Sequence, residues 1–288
     1  APQFVHLRLH SEFSIVDGIT RLDAAVAKAK ADGQTALGLT DLGNTFGFVK
    51  FYKAARGKGV KPILGADVFI TNPADRDSPF RALLLIQNDQ GYQNLCELIS
   101  KAWLTNVHRD RGEIDFAWLS GFAEGLICLS GARQGEIGQA LLKQTDQGCD
   151  EALQAASRYQ QVFKDHFFIE LQRAGLPGED VYVRAALRVA SEQKIPVVAT
   201  HPVQFLDKAD FQSHEARVCI AGGETLGNPR RRRDFTDQQY LVSQAEMAER
   251  FADIPQALTN SLAIAAKCNL SLQLGKPQLP DFPTPNGE

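Results

Sequence analysis

The amino-acid sequence predicts an α/β protein built as a (β/α) barrel with a helical C-terminal extension. Apolar strand-like segments alternate with helical segments about seven times before residue 207, and this density of βαβ units favours a closed barrel over an open doubly wound sheet. Beyond Asp207 the pattern becomes mainly helical. The two observations place a barrel first and a helical extension after it.

The first predicted strand, residues 4–10, alternates apolar and polar side chains, which predicts one apolar and one polar face. Apolar runs predict further strands, which we expect to be parallel, at residues 36–40, 61–70, 80–86, 125–130, 167–171 and 195–200. Composition and spacing predict connecting helices at residues 21–32, 46–56, 136–143, 150–163 and 181–193. One more helix is expected to begin at an Asp89 N-cap, and the charged residues 107–112 to form an exposed loop.

The C-terminal part carries its own helix signals. Ser243 and Glu246 have the spacing of a capping box, and Pro255 suits the first turn of a last helix. We expect one domain at residues 1–275, with the barrel at about 1–206 and the extension at about 207–275. Residues 276–288 are rich in proline and are predicted to be a linker toward further domains.

Composition excludes several classes of protein. Hydrophobic residues make up 44% of the chain and charged residues 23%, which is ordinary for a soluble globular protein. The net charge of −3 argues against a nucleic-acid binder that uses its whole surface. The five cysteines are scattered without a CxxC pair, and no apolar run approaches the roughly 18 residues that span a bilayer. We therefore expect a cytoplasmic chain with reduced thiols.

Candidate functional residues follow the predicted strands, because functional side chains in such barrels gather at the carboxyl ends of the strands. His10, Asp41, Asp67 and His201 are the metal-ligand types found there. A multi-metal hydrolase needs roughly three to five ligands for each ion, so this set is too small. Arg8 between two histidines also argues against a metal clip, since a guanidinium has no lone pair to donate.

Several segments, in this order, resemble a known family: FVHLRLHSEFSIVDG, ALGLTDLGNTFGFVKFY, KPILGADVFI, NDQGYQNLCELISKA, GLICLSGARQGEIG and IPVVATHPVQFLDKADFQSHEARVCIAGG. The chain is similar to the PHP (polymerase and histidinol phosphatase) domain of bacterial DNA polymerase III alpha subunits, of the proteobacterial type. The resemblance covers nearly the whole chain. It implies a TIM-like fold with a distorted seven-stranded barrel, in agreement with the strand count.

Active members of that family hold up to three metal ions, and the comparison implies that the site is degenerate in this chain. The family's ligand positions fall here on Arg8, His10, Asp41, Leu42, Asp67, Arg81, Ala132, Ala174, Pro202 and Gln204. Of these, His10 and Asp41 keep a family ligand, and Asp67 is one methylene shorter than the family's glutamate. The resemblance therefore implies that no metal site, catalytic residue or cofactor belongs to this chain itself.

The arginines at these positions predict a different use for the pocket. A buried carboxylate without a cation is costly, so the loss of metal ions would leave Asp41 and Asp67 in need of positive charge. We predict an ion-pair plug, in which Arg8 or Arg81 pairs with Asp41 or Asp67. The alternative is that both arginines face solvent.

The resemblance also implies a role inside a polymerase. It implies a scaffold for the polymerase core and a docking platform for the proofreading exonuclease (epsilon) subunit. Nucleotidyl transfer and its Mg²⁺ would belong to polymerase domains outside this chain, and contact with DNA would be indirect. The open alternatives are a metal-dependent phosphoesterase, a 3′–5′ exonuclease domain and a scaffold without a partner of its own. A run of arginines offers a separate candidate contact with phosphate at Arg230, Arg231, Arg232 and Arg233.

Overall fold

A single eight-stranded sheet organises the chain, and the computed structural model describes residues 3–284. The strands are β1 (Ala36–Leu42), β2 (Lys61–Ile70), β3 (Phe80–Ile86), β4 (Val107–His108), β5 (Arg111–Ile114), β6 (Leu126–Leu129), β7 (Phe167–Leu171) and β8 (Val197–Ala199). The helices are α1 (Leu22–Ala31), α2 (Phe48–Gly57), α3 (Asp89–Thr105), α4 (Leu119–Phe122), α5 (Glu136–Leu141), α6 (Asp146–Phe163), α7 (Glu179–Gln193), α8 (Phe211–Gly222), α9 (Gln244–Arg250) and α10 (Pro255–Lys267). Residues 285–288 of the predicted linker lie outside the described residues.

The sheet is mixed, with the strand order β4-β5-β2-β3-β6-β7-β8 and with β1 paired to β2. The prediction of parallel strands is correct for β1–β2, β6–β7 and β7–β8. It is wrong for β3, which runs antiparallel to both β2 and β6. The reason is the connection: residues 71–79 form a short loop without a helix, and a parallel neighbour needs a longer crossover.

Two local predictions also need correction. The expected loop at residues 107–112 contains a short hairpin of β4 and β5, whose turn residues Arg109 and Asp110 both have positive φ. This hairpin adds strands to the predicted seven. Asn88, rather than Asp89, is the N-cap of α3, because the Asn88 side chain accepts the Gly91 N–H.

The predicted first strand, residues 4–10, lies between β1 and the residues after β8. The Gly38 and Thr40 N–H groups donate to the carbonyls of His6 and Leu9, at 2.7 and 3.0 Å. The donors are two residues apart and the acceptors are three apart, so the segment holds one extra residue, as in a β-bulge. On the other side, the His10 N–H donates to the Val203 carbonyl at 2.9 Å. The segment thus spans the gap that the eight named strands leave open.

The bulge changes which side chains enter the space that the strands enclose. Val5 and Leu7 belong to an inner apolar cluster, whereas Leu9 belongs to the larger outer cluster under the helices. The prediction that Val5, Leu7 and Leu9 share one face is therefore wrong. Beyond the extra residue, the side chains of Arg8 and His10 occupy the inside.

The inner cluster fills one end of the enclosed space. Its strand residues include Ile63, Leu83, Leu85, Ile127, Leu129, Phe168 and Val198. Ile264, Ala265 and Cys268, at the end of α10 and just after it, pack against them and complete the cluster. The helical extension therefore covers the apolar end of the barrel. At the opposite end, the inner side chains of the same strands are polar.

The extension itself matches its sequence signals. Ser243 and Glu246 form the predicted capping box at α9, and Pro255 is the first residue of α10. Within residues 3–284, no helix has the length and apolar character required to cross a membrane.

The close approach at the bulge gives a test of this packing. A Cβ atom on Gly38 would lie 2.7 Å from the Leu7 carbonyl oxygen, so we expect Gly38→Ala to destabilise the chain by about 2 kcal/mol in urea unfolding. Gly57, the last residue of α2, has nothing within 4 Å of the same position and serves as the control. Equal midpoints for Gly38→Ala and Gly57→Ala would contradict the tight contact.

Candidate functional site

Six ionisable side chains meet at the polar end of the enclosed space, and we name them the ion cluster: Arg8, His10, Asp17, Asp67, Arg81 and Glu170. Arg8 and His10 come from the bulged segment, Asp67 from β2, Arg81 from β3 and Glu170 from β7. Arg8, His10, Asp67 and Glu170 are each at most 5% exposed. Charges this deeply buried are tolerated only when they are paired.

The Asp67 carboxylate is the centre of the cluster. Its Oδ2 accepts from Arg8 Nη1 at 2.5 Å, from Arg81 Nη2 at 2.5 Å and from His10 Nε2 at 2.8 Å. Its Oδ1 accepts from Arg81 Nε at 3.0 Å. Burial alone would raise the pKa of Asp67, but the two guanidinium groups outweigh burial and hold this pKa well below its ordinary range. Asp67 therefore remains a carboxylate.

Arg8 is held by a second carboxylate as well. Its Nε and Nη2 donate to Oε1 and Oε2 of Glu170, both at 2.9 Å, in the bidentate geometry that suits a guanidinium. Burial opposes the charge of Arg8, but Asp67 and Glu170 together raise its pKa above the ordinary value. The guanidinium thus joins β2 to β7 across the enclosed space.

His10 connects Asp67 to Asp17. Its Nδ1 lies 2.7 Å from Asp17 Oδ1, and its Nε2 lies 2.8 Å from Asp67 Oδ2. Burial would lower the pKa of His10, yet the two carboxylates raise it to about 9. The imidazole is therefore a cation at neutral pH. Three cations then face the three carboxylates of Asp17, Asp67 and Glu170, and the ion cluster is neutral.

A second layer of polar side chains covers His10. The Gln204 amide nitrogen lies 3.1 Å from His10 Nδ1, and its amide oxygen lies 3.1 Å from His214 Nε2. Burial lowers the pKa of His214 to about 4, so this second histidine is neutral. The remaining cavity has a volume of about 50 Å³. It has room for water molecules but is far smaller than typical ligand pockets.

Asp41 lies outside the ion cluster. Its Oδ1 accepts from the Ser11 N–H at 2.7 Å and from the Ser14 hydroxyl at 2.8 Å, and the Ser11 hydroxyl contacts both of its oxygens. The period of two along β1 explains its position, because Asp41 shares the outer face with Leu37 and Leu39. Burial raises the pKa of Asp41. Within residues 3–284, no arginine is among the ion-pair partners of Asp41, and both Arg8 and Arg81 pair with Asp67 instead.

The other ligand positions of the family provide few side-chain atoms that could bind a metal ion. Leu42, Ala132, Ala174 and Pro202 carry no side-chain ligand atom, and the Gln204 amide lies between His10 and His214. Within residues 3–284, no group of three or more His, Cys, Asp or Glu side chains is arranged to hold a metal ion. Because both oxygens of Asp67 already accept from guanidinium groups, the residues present do not fit a multi-metal centre.

The predicted ion-pair plug did not include two members of the ion cluster, Glu170 and Asp17. Glu170 lies in the middle of the apolar strand FFIEL, where an unpaired carboxylate would be costly, and this was the available signal for it. Asp17 lies in a loop and carries no such signal. His201, the other candidate at a strand end, is not part of the ion cluster. Its Nε2 lies 2.7 Å from the Gln238 carbonyl oxygen.

The arginine run at residues 230–233 is partly occupied. Arg231 forms a buried ion pair with Glu215 at 2.5 Å, and Arg232 lies 3.2 Å from Asp234. A contact with phosphate therefore stays a prediction. Arg231 and Arg232 are less available for it, because each already pairs with a carboxylate.

The central role of Asp67 predicts a large effect for an isosteric change. Asp67→Asn leaves Arg8 and Arg81 without their shared anion, so we expect a loss of about 3–5 kcal/mol in unfolding free energy. The control is Asp253→Asn, which breaks an exposed ion pair with Arg173 and should cost less than about 1 kcal/mol. Losses of similar size in the two variants would contradict the assigned role of Asp67.

His10 predicts a pH dependence of stability. Its pKa rises from an ordinary value of 6.5 to about 9, so the folded chain holds this proton more tightly than the unfolded chain does. The resulting stabilisation is complete below pH 6.5 and is lost as the pH rises toward 9, by up to about 3 kcal/mol. Urea unfolding across this range should show the loss in the native chain and a smaller one in His10→Gln. If the unfolding free energy falls equally steeply with pH in the native chain and in His10→Gln, a group other than His10 is responsible for the pH dependence.

Comparison of the sequence with known proteins identifies the family of this chain. A family model described as the PHP domain matches residues 6–174. DNA polymerase III subunit alpha of Neisseria meningitidis serogroup B is 50% identical over 291 residues, which cover 99% of this chain and 25% of that protein. The subunit of the same name from Escherichia coli K12 is 45% identical over 283 residues, covering 98% and 24%. The chain thus spans about a quarter of the length of these curated relatives.

Solved structures give a more general likeness. An amidohydrolase from Chromobacterium violaceum, with bound sulfate and no metal, superposes with a TM-score of 0.46 at 14% identity, covering 74% of this chain and 96% of that one. The assignment is made by the sequence matches, because the family model covers more than half of the chain and the polymerase relatives nearly all of it. This chain belongs to the PHP domain family.

Proposed function

We propose that this chain is the N-terminal PHP domain of a DNA polymerase III alpha subunit of the proteobacterial type. In this role it is a scaffold for the polymerase core and a docking platform for the proofreading exonuclease (epsilon) subunit. The proposal is supported by identities of 45–50% to alpha subunits along almost the entire chain.

The ion cluster is the observation that carries the scaffold role. A catalytic metal site needs carboxylates with free lone pairs and an open coordination position. Here Asp67 is surrounded by Arg8, Arg81 and His10, and the cluster has no excess negative charge to attract a cation. The metal site is thus proposed to be degenerate, with fixed side-chain charges in place of ions.

The proposed activity of the parent protein lies elsewhere in its chain. Nucleotidyl transfer and the Mg²⁺ that supports it are assigned to polymerase domains outside these residues, and DNA is reached through the holoenzyme. The proposed location is the cytoplasm, where replication proteins act. For this domain the proposal includes no catalytic residue and no cofactor. A metal-dependent phosphoesterase or 3′–5′ exonuclease has no specific observation in its favour.

Metal analysis tests the degenerate site. Protein purified without chelator should contain substoichiometric zinc and manganese and should not hydrolyse phosphomonoesters, because the carboxylates are already paired. Stoichiometric metal together with phosphatase activity would overturn the proposal.

Docking is tested separately by affinity capture of the exonuclease subunit with the full-length alpha subunit. The absence of capture would leave the scaffold role and remove the docking role.

A further inference from the structure

The small cavity at the polar end of the barrel has an arginine on its wall that the ion cluster does not include. Arg133 lines this cavity together with Arg81, and the cavity volume is about 50 Å³. Arg133 belongs to the short 3₁₀ turn Ala132–Gln134, which follows β6. Neither the ion-pair plug nor the proposed function gives Arg133 a role.

The Arg133 guanidinium lacks a protein partner. Within residues 3–284 it forms no hydrogen bond and no ion pair, and its Nε is buried without an acceptor. Buried N–H groups in folded proteins nearly always have an acceptor, which is a protein atom, an ordered water molecule or an ion. A buried donor on the wall of a cavity therefore indicates an acceptor inside that cavity.

The turn after β6 brings Arg133 next to Arg81. A Cβ atom on Gly131 would overlap the Arg81 carbonyl oxygen, and one on Gly135 would lie 3.2 Å from the same oxygen. The turn therefore packs directly on the backbone of β3. Ala132 is 1% exposed and has a φ of 51°, which is a strained value for a residue with a Cβ atom. Such strain concentrates at functional sites.

Arg81 keeps one donor group available beside its ion pair. Its Nε and Nη2 donate to the two oxygens of Asp67, and its guanidinium carbon lies 5.1 Å from the centroid of the Phe69 ring. The Nη1 group of Arg81 forms no hydrogen bond within the part of the chain that the structure describes. Arg81 can therefore hold Asp67 and donate to a second acceptor in the cavity at the same time.

The carboxylates that line the cavity have other partners. Asp17 lies 2.7 Å from His10 Nδ1, inside the ion cluster. Asp234 is half exposed and lies 3.2 Å from Arg232. Neither carboxylate forms an ion pair with Arg133 within residues 3–284.

Glu179 is a further carboxylate near Arg133. Burial raises the pKa of Glu179, and the charge of Arg133 acts against that rise. The Glu179 oxygens accept from the Ala174 and Gly175 N–H groups, both at 2.9 Å. Glu179 thus fixes the loop after β7 and does not pair with Arg133 among the described residues.

The charges define the kind of ion that would complete the site. The ion cluster is neutral by itself, so Arg133 adds one positive charge to the cavity wall. One monovalent anion balances this charge, whereas a divalent oxyanion would place an extra negative charge beside Asp17 and Asp67. The cavity also holds about one to a few water-sized groups, which excludes organic anions.

We propose that this cavity is a binding site for a halide ion, chloride in the cell, held between Arg81 Nη1 and the Arg133 guanidinium. The ion accepts the unpaired N–H groups and neutralises Arg133. It also fastens the turn after β6 to β3, because one arginine comes from each element. This structural role is independent of the proposed docking function.

Hydrogen exchange of the full-length alpha subunit tests the site locally. Opening of the turn releases the ion, so bound chloride slows amide exchange in peptides that cover residues 131–135. At a chloride concentration ten times the dissociation constant, this exchange should be about tenfold slower than without chloride. Sodium gluconate at equal ionic strength is the salt control, because gluconate is too large for the cavity.

Two arginine variants separate this site from other chloride effects. Arg133→Gln should abolish the slowing by chloride, because the surplus charge is lost. Arg184→Gln is the matched control, since Arg184 is exposed on α7 and does not line the cavity, and it should keep the native response. Unchanged polymerase activity will show that both variants fold.

Crystals of the native alpha subunit in sodium bromide give a direct measurement that needs no variant. An anomalous bromide peak should lie within contact distance of Arg81 Nη1 and the Arg133 guanidinium. A peak from ordered water in its place would overturn the inference.

The exchange data can overturn it as well. If chloride and gluconate act equally on the native subunit, the cavity does not bind the halide. If Arg133→Gln keeps the native chloride response, the responsible site lies elsewhere. If inorganic phosphate slows exchange through Arg133 and chloride does not, the assignment to a monovalent halide is wrong.

Discussion

The carboxylate of Asp67 accepts hydrogen bonds from Arg8, Arg81 and His10 at the centre of the polar end of the barrel. These contacts tie β2 to β3 and to the bulged N-terminal segment, and the fork between Arg8 and Glu170 extends the connection to β7. Removal of one charge would leave a buried side chain with fewer partners of opposite sign, which is costly. The network is stable because every charge has at least one partner of opposite sign.

A set of arginines differs physically from a set of metal ions in the same place. A metal ion leaves when it is chelated or when its ligands are protonated, so a metal-filled barrel depends on supply and on pH. Arg8 and Arg81 are covalently part of the chain, so their charge does not depend on a supply of ions. Arginines at this place leave no coordination position that a substrate could enter, and their charges balance those of the buried carboxylates. A domain with this interior suits structural support.

Sequence reasoning reached the centre of the site but not its details. Asp67 and Arg81 could be predicted from the resemblance, because both stand at ligand positions of the family and a buried carboxylate requires a cation. Asp41 could have been excluded, since it shares the parity of Leu37 and Leu39 along β1. The extra residue between His6 and Leu9 could not be found, because a bulge leaves no mark in an alternating sequence. The hairpin in residues 107–114 was hidden for a similar reason: its strands are short and charged.

The position of α10 has a consequence for the order in which the chain folds during synthesis. Ile264 and Ala265 complete the inner cluster that also contains Val5 and Leu7, and the Ser261 hydroxyl accepts the Val5 N–H at 3.0 Å. The N-terminal segment therefore has no finished place to pack until the last helix has left the ribosome. Until that point the growing chain carries an unfinished apolar interior. The native packing of the N-terminal segment is consequently completed only together with α10.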